Sequence, residues 1–166
     1  MSEPTRLGGA DWERLRALRL RALREAPDAF GRTLAEEEPQ PPEYWQARLA
    51  DPAVAHFVVS REGADVGLVS GAPWRGRPGV MGLFSMWVAP EARGAGVGGR
   101  LVEAVVGWAR ASGYGRVVLE VADENAAAVR LYERHGFAPT GARGTLPPPR
   151  EHVLEHERAR MLGGRG

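Results

Sequence analysis

One segment, Arg93-Gly94-Ala95-Gly96-Val97-Gly98-Gly99, carries four glycines and separates an apolar stretch from a helix with one apolar face. Glycine lets the backbone approach a ligand closely because it has no Cβ atom. The first N–H groups of a helix have no partners inside the helix, and together with the helix dipole they favour an anion. The segment therefore predicts a phosphate-binding loop between a strand and a helix, rather than only a tight turn.

The glycine spacing leaves the phosphate ligand open. Gly94, Gly96 and Gly99 satisfy the dinucleotide pattern G-x-G-x-x-G, and Glu120 follows at about the distance of a ribose-binding acidic residue. Two features argue against a dinucleotide. About 70 residues follow the loop, too few for a full doubly wound sheet, and Ala89–Ala92 separates the strand from the first glycine. A Walker loop is excluded because the chain has no lysine.

Apolar periodicity divides the first half of the chain into helices and strands. Asp11–Ala26 and Glu43–Ala50 are predicted to be helices, the first from apolar residues at helical spacing. Apolar runs rich in β-branched residues predict a hairpin, formed by Val54–Ser60 and Val66–Gly71. A further strand, Met81–Val88, leads into the glycine loop.

The second half alternates in the same way. After the helix that follows the glycine loop, we predict a strand at Val117–Val121, a helix at Asn125–His135 and a strand beginning at Phe137–Ala142. Gly141–Pro149 is predicted to be a loop, and Glu151–Leu162 fits a helix or a strand equally. This order gives an α/β fold class, and the earlier hairpin makes the sheet mixed.

Composition narrows the class of protein. The 166 residues fit a single domain, 1–166, and 43% hydrophobic with 26% charged residues is typical of a globular protein. No apolar run approaches the roughly 20 residues of a membrane span, and Met1–Gly9 lacks the apolar core of a signal peptide. We therefore expect a cytoplasmic protein without a membrane partner. The net charge of +1 argues against nucleic-acid binding, and the absence of cysteine excludes a thiolate nucleophile.

Two motifs resemble those of the GNAT superfamily of acyl-CoA-dependent N-acetyltransferases. Met86–Gly98 is similar to the cofactor motif with the core Q/R-x-x-G-x-G/A, whose fixed positions are filled by Arg93, Gly96 and Gly98. Asn125–Phe137 is similar to the second motif, N-x-x-A-x-x-L-Y-x-x-x-G-F. The resemblance covers residues 80–139 well. The first 50 residues and the tail, which usually determine the acceptor in this family, match loosely. The chain as a whole is loosely similar to ribosomal-protein N-acetyltransferases.

This resemblance implies a mixed, splayed β-sheet flanked by helices, acetyl-CoA as cosubstrate, and a primary amine, of a small molecule or a protein, as acceptor. It implies a pantetheine arm that pairs with the backbone of Val88, whose N–H would polarise the thioester carbonyl. Transfer would be direct, in a ternary complex, and a homodimer is possible. The pyrophosphate would be held by the backbone N–H groups of Arg93, Gly94, Gly96, Gly98 and Gly99.

Acetyl transfer needs one group that takes the ammonium proton and another that protonates the leaving thiolate. Tyr132 occupies the position of the family's proton-donating tyrosine and is the candidate acid, with packing in the core as the alternative. Glu120 ends a strand in a Leu-Glu-Val context and is the candidate base, with a solvated glutamate as the alternative. Asn125 caps its helix, contacts the pantetheine, or does both. Phe30 is a weaker candidate for the acceptor-binding wall.

Two other patterns carry less weight. Glu36–Glu38 could attract a cationic acceptor, although a solvated acidic run explains it better. His152–His156 matches the zinc-peptidase pattern H-x-x-E-H, but a strand would separate its two histidines and no third ligand follows, so no metal is expected. The alternatives to an acetyltransferase are a non-catalytic CoA-binding domain with the same fold and, less favoured, a dinucleotide-binding module.

Overall fold

The computed structural model describes residues 1–163 of the chain; residues 164–166, the end of the predicted domain, lie outside the described part. Within this range the helices are α1 (Trp12–Glu25), α2 (Leu34–Glu37), α3 (Pro42–Ala50), α4 (Val97–Ala111) and α5 (Ala126–Arg134). The strands are β1 (Thr5–Arg6), β2 (Ala55–Arg61), β3 (Ala64–Pro73), β4 (Val80–Val88), β5 (Arg116–Ala122), β6 (Ala138–Thr145) and β7 (Leu154–Met161).

The strands form one mixed sheet in the order β1-β2-β3-β4-β5-β7-β6. Neighbouring strands run antiparallel except for β4 and β5, which are parallel and are joined by the crossover through α4. The mixed α/β class predicted from the sequence is therefore confirmed. None of the helices in residues 1–163 is both long enough and apolar enough to cross a membrane.

The sheet opens between its two parallel strands. β4 and β5 are paired from Val80 with Arg116 to Gly82 with Val118. β4 then continues to Val88 along β3, while β5 continues to Ala122 along β7. The two strands diverge beyond the paired segment, which confirms the predicted splay. The opening lies beside the end of β4 that leads into the glycine loop.

Helices cover both faces of the sheet. Gly67 and Gly71 of β3 face α4, and a Cβ atom on Gly67 would lie 2.7 Å from Val97 Cγ1 of that helix. On the opposite face, Trp87 of β4 donates a hydrogen bond from Nε1 to Glu25 of α1 (2.8 Å). The apolar faces of α1 and α4 pack on the central strands and form the core.

Three details differ from the sequence prediction. β6 continues to Thr145 because it pairs with β7 through Arg143 and His156, so the prediction of a loop from Gly141 is wrong over its first five residues. The segment Glu151–Leu162, which fitted a helix or a strand, contains the strand β7 over Leu154–Met161. Strand β1 and helix α2, which are two and four residues long, have no counterpart among the elements predicted from the sequence.

Candidate functional site

The glycine loop adopts two left-handed turns before α4. Gly94 has φ +81° and Gly96 has φ +85°, and a Cβ atom at either position would meet no other atom within 4 Å. These glycines are therefore required by backbone conformation, since L-residues rarely adopt such φ values. Gly96 is the N-cap of α4 and carries no side chain that could occupy the first amides of the helix.

The first amides of α4 are free to bind an anion. The N–H of Arg100 donates to the carbonyl of Gly96 (3.2 Å) and forms the first hydrogen bond within the helix. The preceding N–H groups, those of Val97, Gly98 and Gly99, have no carbonyl partner within the helix. The loop thus presents consecutive amides at the positive end of a 15-residue helix, as the phosphate prediction requires.

Gly98 and Gly99 have a different role from the two turn glycines. A Cβ atom on Gly98 would lie 3.0 Å from Leu131 Cδ2, and one on Gly99 would lie 2.8 Å from His135 Nε2. Both contacts are with α5 or the residue that ends it. The two glycines therefore let α4 and α5 approach each other closely at the base of the cleft.

A cleft of about 1280 Å³ runs from the glycine loop to the opening in the sheet. All seven of the predicted cofactor-binding residues line it, and Arg134 lines it too. The predicted residues that line it are Val88, Arg93, Gly94, Gly96, Gly98, Gly99 and Asn125.

The backbone of Val88 points toward the opening. The N–H of Ala89 donates to the carbonyl of Val66 on β3 (2.8 Å). Because successive residues of a strand direct their polar groups to opposite sides, the N–H and C=O of Val88 point away from β3. Arg93 folds back here: its Nε donates to the Val88 carbonyl (3.0 Å) and its Nη2 to Glu25 (2.9 Å).

A β-bulge in β4 shapes the opening. Pairing with β3 is irregular between Leu68 and Ser70, and opposite this point Ser85 has φ +59°. A positive φ is uncommon for a non-glycine residue, and such strain occurs often at functional sites. Arg19 of α1 donates a hydrogen bond to Ser85 Oγ (2.6 Å). The bulge directs Met86 into the space between the diverging strands.

A second cleft, of about 960 Å³, meets the first at the opening. It contains the other sequence-predicted candidates, Tyr132, Glu120 and Phe30. Because Glu120 lies in this second cleft rather than beside the glycine loop, it is misplaced for the ribose contact of the dinucleotide alternative. The residues common to both clefts are Ala29, Met86, Asn125 and Ala128.

Tyr132 is buried in the wall of the second cleft. Its side chain is 5% exposed and its ring packs edge-on against Phe137, with centroids 6.0 Å apart. Burial raises the pKa of Tyr132 above its ordinary value of about 10. The hydroxyl is therefore protonated at neutral pH. The ring packs in the core, as the alternative interpretation of the sequence has it, and the residue also lines the cleft, so its role as the acid stays a prediction.

Glu120 is exposed on β5 and has a partner that the sequence analysis missed. Ala122 pairs with Glu155 across β5 and β7, so Glu120 and Glu155 are diagonal neighbours on one face of the sheet, and both line the second cleft. Burial raises the pKa of Glu155, and the charge of Glu120 and a hydrogen bond with Glu120 raise it further. The two carboxyl groups can therefore share a proton. Only the strand interpretation of Glu151–Leu162 could have suggested this pair.

Asn125 and Phe30 both line the second cleft. Asn125 Oδ1 accepts a hydrogen bond from the N–H of Ala128 (3.2 Å), which confirms its prediction as a helix cap. Phe30 is 3% exposed and packs under the guanidinium of Arg19, at 4.7 Å from the ring centroid. It therefore supports the wall of the second cleft more than it contacts the interior.

The acidic run Glu36–Glu38 is exposed at Glu36 and Glu38 but buried at Glu37, so the sequence interpretation of a solvated run is wrong for its central residue. Glu37 is fully buried and accepts hydrogen bonds from Arg19 Nε (2.7 Å) and Arg48 Nη1 (2.8 Å). Glu36 caps α2 through Thr33, and Glu38 pairs with an arginine of α1. The central carboxylate is thus neutralised internally and does not attract an acceptor.

The H-x-x-E-H segment is used in another way. His152 lies before strand β7, whereas His156 lies within it, so the strand separates the two histidines. The Nδ1 atom of His156 contacts Asp123 Oδ1 (2.8 Å). Arg158 Nε contacts the other ring nitrogen of His156 (2.9 Å). His156 is therefore fixed in a hydrogen-bonded chain, and Glu155 between the two histidines faces the second cleft.

A splayed mixed sheet, a glycine loop before the crossover helix and two clefts that meet at the opening define a mixed α/β fold with an anion-binding loop at its open edge. Residues 12–137 match the family model described as the acetyltransferase (GNAT) family. The chain belongs to this family.

Relatives and solved structures agree with this assignment. The mycothiol acetyltransferase of Thermobispora bispora is 36% identical over 133 residues, which are 78% of this chain and 43% of that protein. The N-alpha-acetyltransferase RimI of Mycobacterium tuberculosis is 34% identical over 109 residues, 64% of this chain and 66% of the relative. The chain thus spans less than half the length of the mycothiol enzyme that it matches.

The fold similarity extends over nearly the whole chain. The ribosomal-protein-alanine N-acetyltransferase of Brucella melitensis aligns with a TM-score of 0.78 and 23% identity, over 96% of this chain and 99% of that one. The protein yncA of Salmonella typhimurium, solved with its cofactor acetyl-CoA, aligns with a TM-score of 0.75 and 21% identity, over 98% and 95%. At these identities the comparison establishes the fold.

Proposed function

We propose that the chain is an N-acetyltransferase domain, spanning residues 1–166, that transfers an acetyl group from acetyl-CoA to a primary amine by direct attack in a ternary complex. One observation carries this proposal. The cleft with the free helix amides and the cleft with the carboxyl pair and Tyr132 meet at the opening of the sheet, at Met86 and Asn125. Donor and acceptor entering from the two sides would therefore meet at one point.

The first cleft fits the donor. The amides of Val97, Gly98 and Gly99 suit a pyrophosphate, as does that of Gly94 on the preceding turn. The N–H of Arg93 already donates to the carbonyl of Pro90 (3.3 Å) and must release it to join them. The glycines keep Cβ atoms out of this region. The Val88 N–H and C=O point into the opening, where an extended amide-bearing arm can pair with them. Arg93 must release the Val88 carbonyl for a full pairing.

The second cleft supplies the base. An amine arrives mainly as an ammonium, since its ordinary pKa is about 10.4 when it is a lysine side chain. Glu120, with Glu155 beside it, attracts this cation and accepts its proton. Because burial and the neighbouring Glu120 raise the pKa of Glu155, the Glu155 carboxylate holds a proton more readily than an isolated glutamate does.

Tyr132 supplies the acid. Because burial keeps its hydroxyl protonated, Tyr132 donates its proton toward the leaving sulfur as the C–S bond breaks and the C–N bond forms. Two protons leave the nitrogen overall: one passes through the carboxyl pair to solvent, and the other restores the tyrosine that protonated the thiolate. The Val88 N–H donates a hydrogen bond to the thioester oxygen, on which negative charge develops.

Initial rates of CoA thiol release, measured while both substrates are varied, test this function. Direct transfer predicts intersecting lines, whereas parallel lines or a trapped acetyl-enzyme would contradict it. Tyr132→Phe should lower kcat about 100-fold or more, with the dissociation constant for acetyl-CoA unchanged. Tyr114→Phe, at a half-buried tyrosine outside both clefts, is the matched control. Because the chain has no lysine, acetylation of its own lysines cannot confuse the assay.

Glu120→Gln tests the base separately. We expect a fall in kcat/KM that is largest at low pH, where the ammonium must be deprotonated, and that shrinks as the pH rises toward the amine pKa. Glu124→Gln is an exposed control on the following turn. Binding of acetyl-CoA without turnover of any amine would favour the non-catalytic CoA-binding alternative. A homodimer, which the family resemblance makes possible, stays a prediction that sedimentation can check.

A further inference from the structure

Two aromatic side chains in the second cleft take no part in the proposed chemistry. Trp74 and Phe84 stack with their ring centroids 5.6 Å apart and their planes 12° from parallel. Both line the cleft that contains Glu120 and Glu155. Phe84 is 40% exposed, although Leu83 and Trp87 of the same central strand are only 4% and 3% exposed. An exposed aromatic pair inside a cleft indicates a surface for a ligand.

The backbone around this pair holds it in place. A Cβ atom on Gly82 would lie 2.3 Å from Phe84 Cε2 and 2.9 Å from Trp74 Cε3, so the two rings lie directly against the bare backbone of Gly82. The guanidinium of Arg77 lies over the Trp74 ring at 5.5 Å and forms a salt bridge with the buried Glu157 (3.0 Å). The aromatic pair is thus ordered before any ligand binds, which lowers the entropic cost of binding.

The rings and the carboxyl pair share one face of the sheet. Gly82 of β4 is the register partner of Val118 of β5. Phe84 and Glu120 lie two residues further along their strands, and residues two apart point to the same face. Glu155 joins them from β7. The cleft therefore has an acidic side and a flat apolar side at the place where β4 and β5 diverge.

A polar clasp closes another side of the cleft. Arg150 donates hydrogen bonds to the carbonyls of Pro27 (2.8 Å), Phe30 (3.0 Å) and Gly31 (2.8 Å). These contacts join the loop between β6 and β7 to the loop between α1 and α2. Both loops line the cleft, so the clasp restricts its width and favours a small acceptor over a folded protein.

We propose that the acceptor is a small primary amine that carries an aromatic or heteroaromatic ring, an inference that rests on the proposed function. Its ammonium group lies at Glu120 and Glu155, and its ring packs on Phe84 and Trp74. Charge complementarity fixes one end of the molecule and aromatic stacking fixes the other. Trp74 and Phe84 are then residues that determine specificity and do not take part in proton transfer.

A matched set of amines tests this inference. Three of the amines carry the same ammonium group but differ in the flatness and size of the attached group: phenethylamine, cyclohexylethylamine and n-butylamine. An alanyl peptide represents a protein N-terminus. We expect kcat/KM for phenethylamine to exceed that for n-butylamine by about tenfold or more. Phe84→Ala should lower kcat/KM for phenethylamine far more than kcat/KM for n-butylamine, and so remove most of this preference. Met161→Ala, at a 69% exposed methionine outside both clefts, is the control.

Binding measured without turnover separates this inference from the proposed function. In calorimetry on CoA-saturated protein, phenethylamine should bind more tightly than n-butylamine, and Phe84→Ala or Trp74→Ala should erase the difference. If aromatic amines bind in this way but release no CoA thiol, the catalytic proposal fails and the acceptor inference stands. If aromatic and aliphatic amines bind and react alike, or the alanyl peptide is preferred, the acceptor inference is overturned while the catalytic proposal stands.

Discussion

Replacing Gly96 by alanine should destabilise the protein through backbone strain alone. Gly96 has φ +85°, and a Cβ atom there would contact nothing within 4 Å. An L-residue in the left-handed region costs roughly 1–2 kcal/mol. Because each kcal/mol corresponds to about 2–4 °C in a domain of this size, Gly96→Ala should lower the melting temperature by about 2–8 °C.

Gly107 provides the control on the same helix. It lies inside α4 with an ordinary φ, and a Cβ atom there would also meet nothing within 4 Å. Gly107→Ala should therefore stabilise the protein by about 0.5–1 kcal/mol, because alanine favours the helix interior. The two substitutions add the same methyl group and have opposite predicted signs.

Calorimetric melting curves of both variants and of Gly96→Asn are the assay. Asparagine tolerates the left-handed region better than alanine, so Gly96→Asn should lose less stability than Gly96→Ala. If Gly96→Ala melts at or above the wild-type temperature, the loop does not need its left-handed turn and the reasoning about the helix start is refuted.

Further predictions concern buried charge. Glu37→Ala should lower the free energy of unfolding by about 3–5 kcal/mol, because it leaves Arg19 buried without its partner. Glu38→Ala, at a half-exposed ion pair, should lower it by about 0–1 kcal/mol. Urea unfolding of both variants measures the two values. Burial lowers the pKa of His56 to about 4. In the unfolded chain the pKa of this histidine is about 6.5, so the unfolded chain takes up the proton first as the pH falls. The contribution of neutral His56 to the free energy of unfolding is therefore complete above about pH 6.5. It is lost, by roughly 3 kcal/mol, as the pH falls toward 4. His56→Gln should flatten this part of the stability profile relative to wild type, and an equal pH dependence in both proteins would contradict the buried neutral histidine.

The glycine loop and the α5 motif could be predicted because short local patterns determine them. Glycine spacing specifies the turns before α4, and Asn125 caps α5 from its own side chain. The family resemblance then supplied the splayed sheet, which the pairing of β4 with β5 confirms. These features depend on residues close together in the sequence or on motifs with fixed spacing.

The missed features depend on contacts between distant residues. Glu155 meets Glu120 only because β7 inserts between β5 and β6, and periodicity did not decide whether its segment was a strand. Glu37 looked like part of a solvated run, and its burial follows from arginines 18 residues before it and 11 residues after it. Trp74 and Phe84 lie on either side of a loop and pack against each other over Gly82, which has no side chain to fill the space that the two rings occupy.

The central claim is that the cleft at the start of α4 binds acetyl-CoA, and ligand-dependent melting tests it most directly. A ligand that binds only the folded protein at 100 times its dissociation constant adds about 2.7 kcal/mol, or about 5–11 °C here. We predict such a shift with acetyl-CoA and with CoA, and none with NADH. A shift with NADH only, or with none of the three, would contradict the claim.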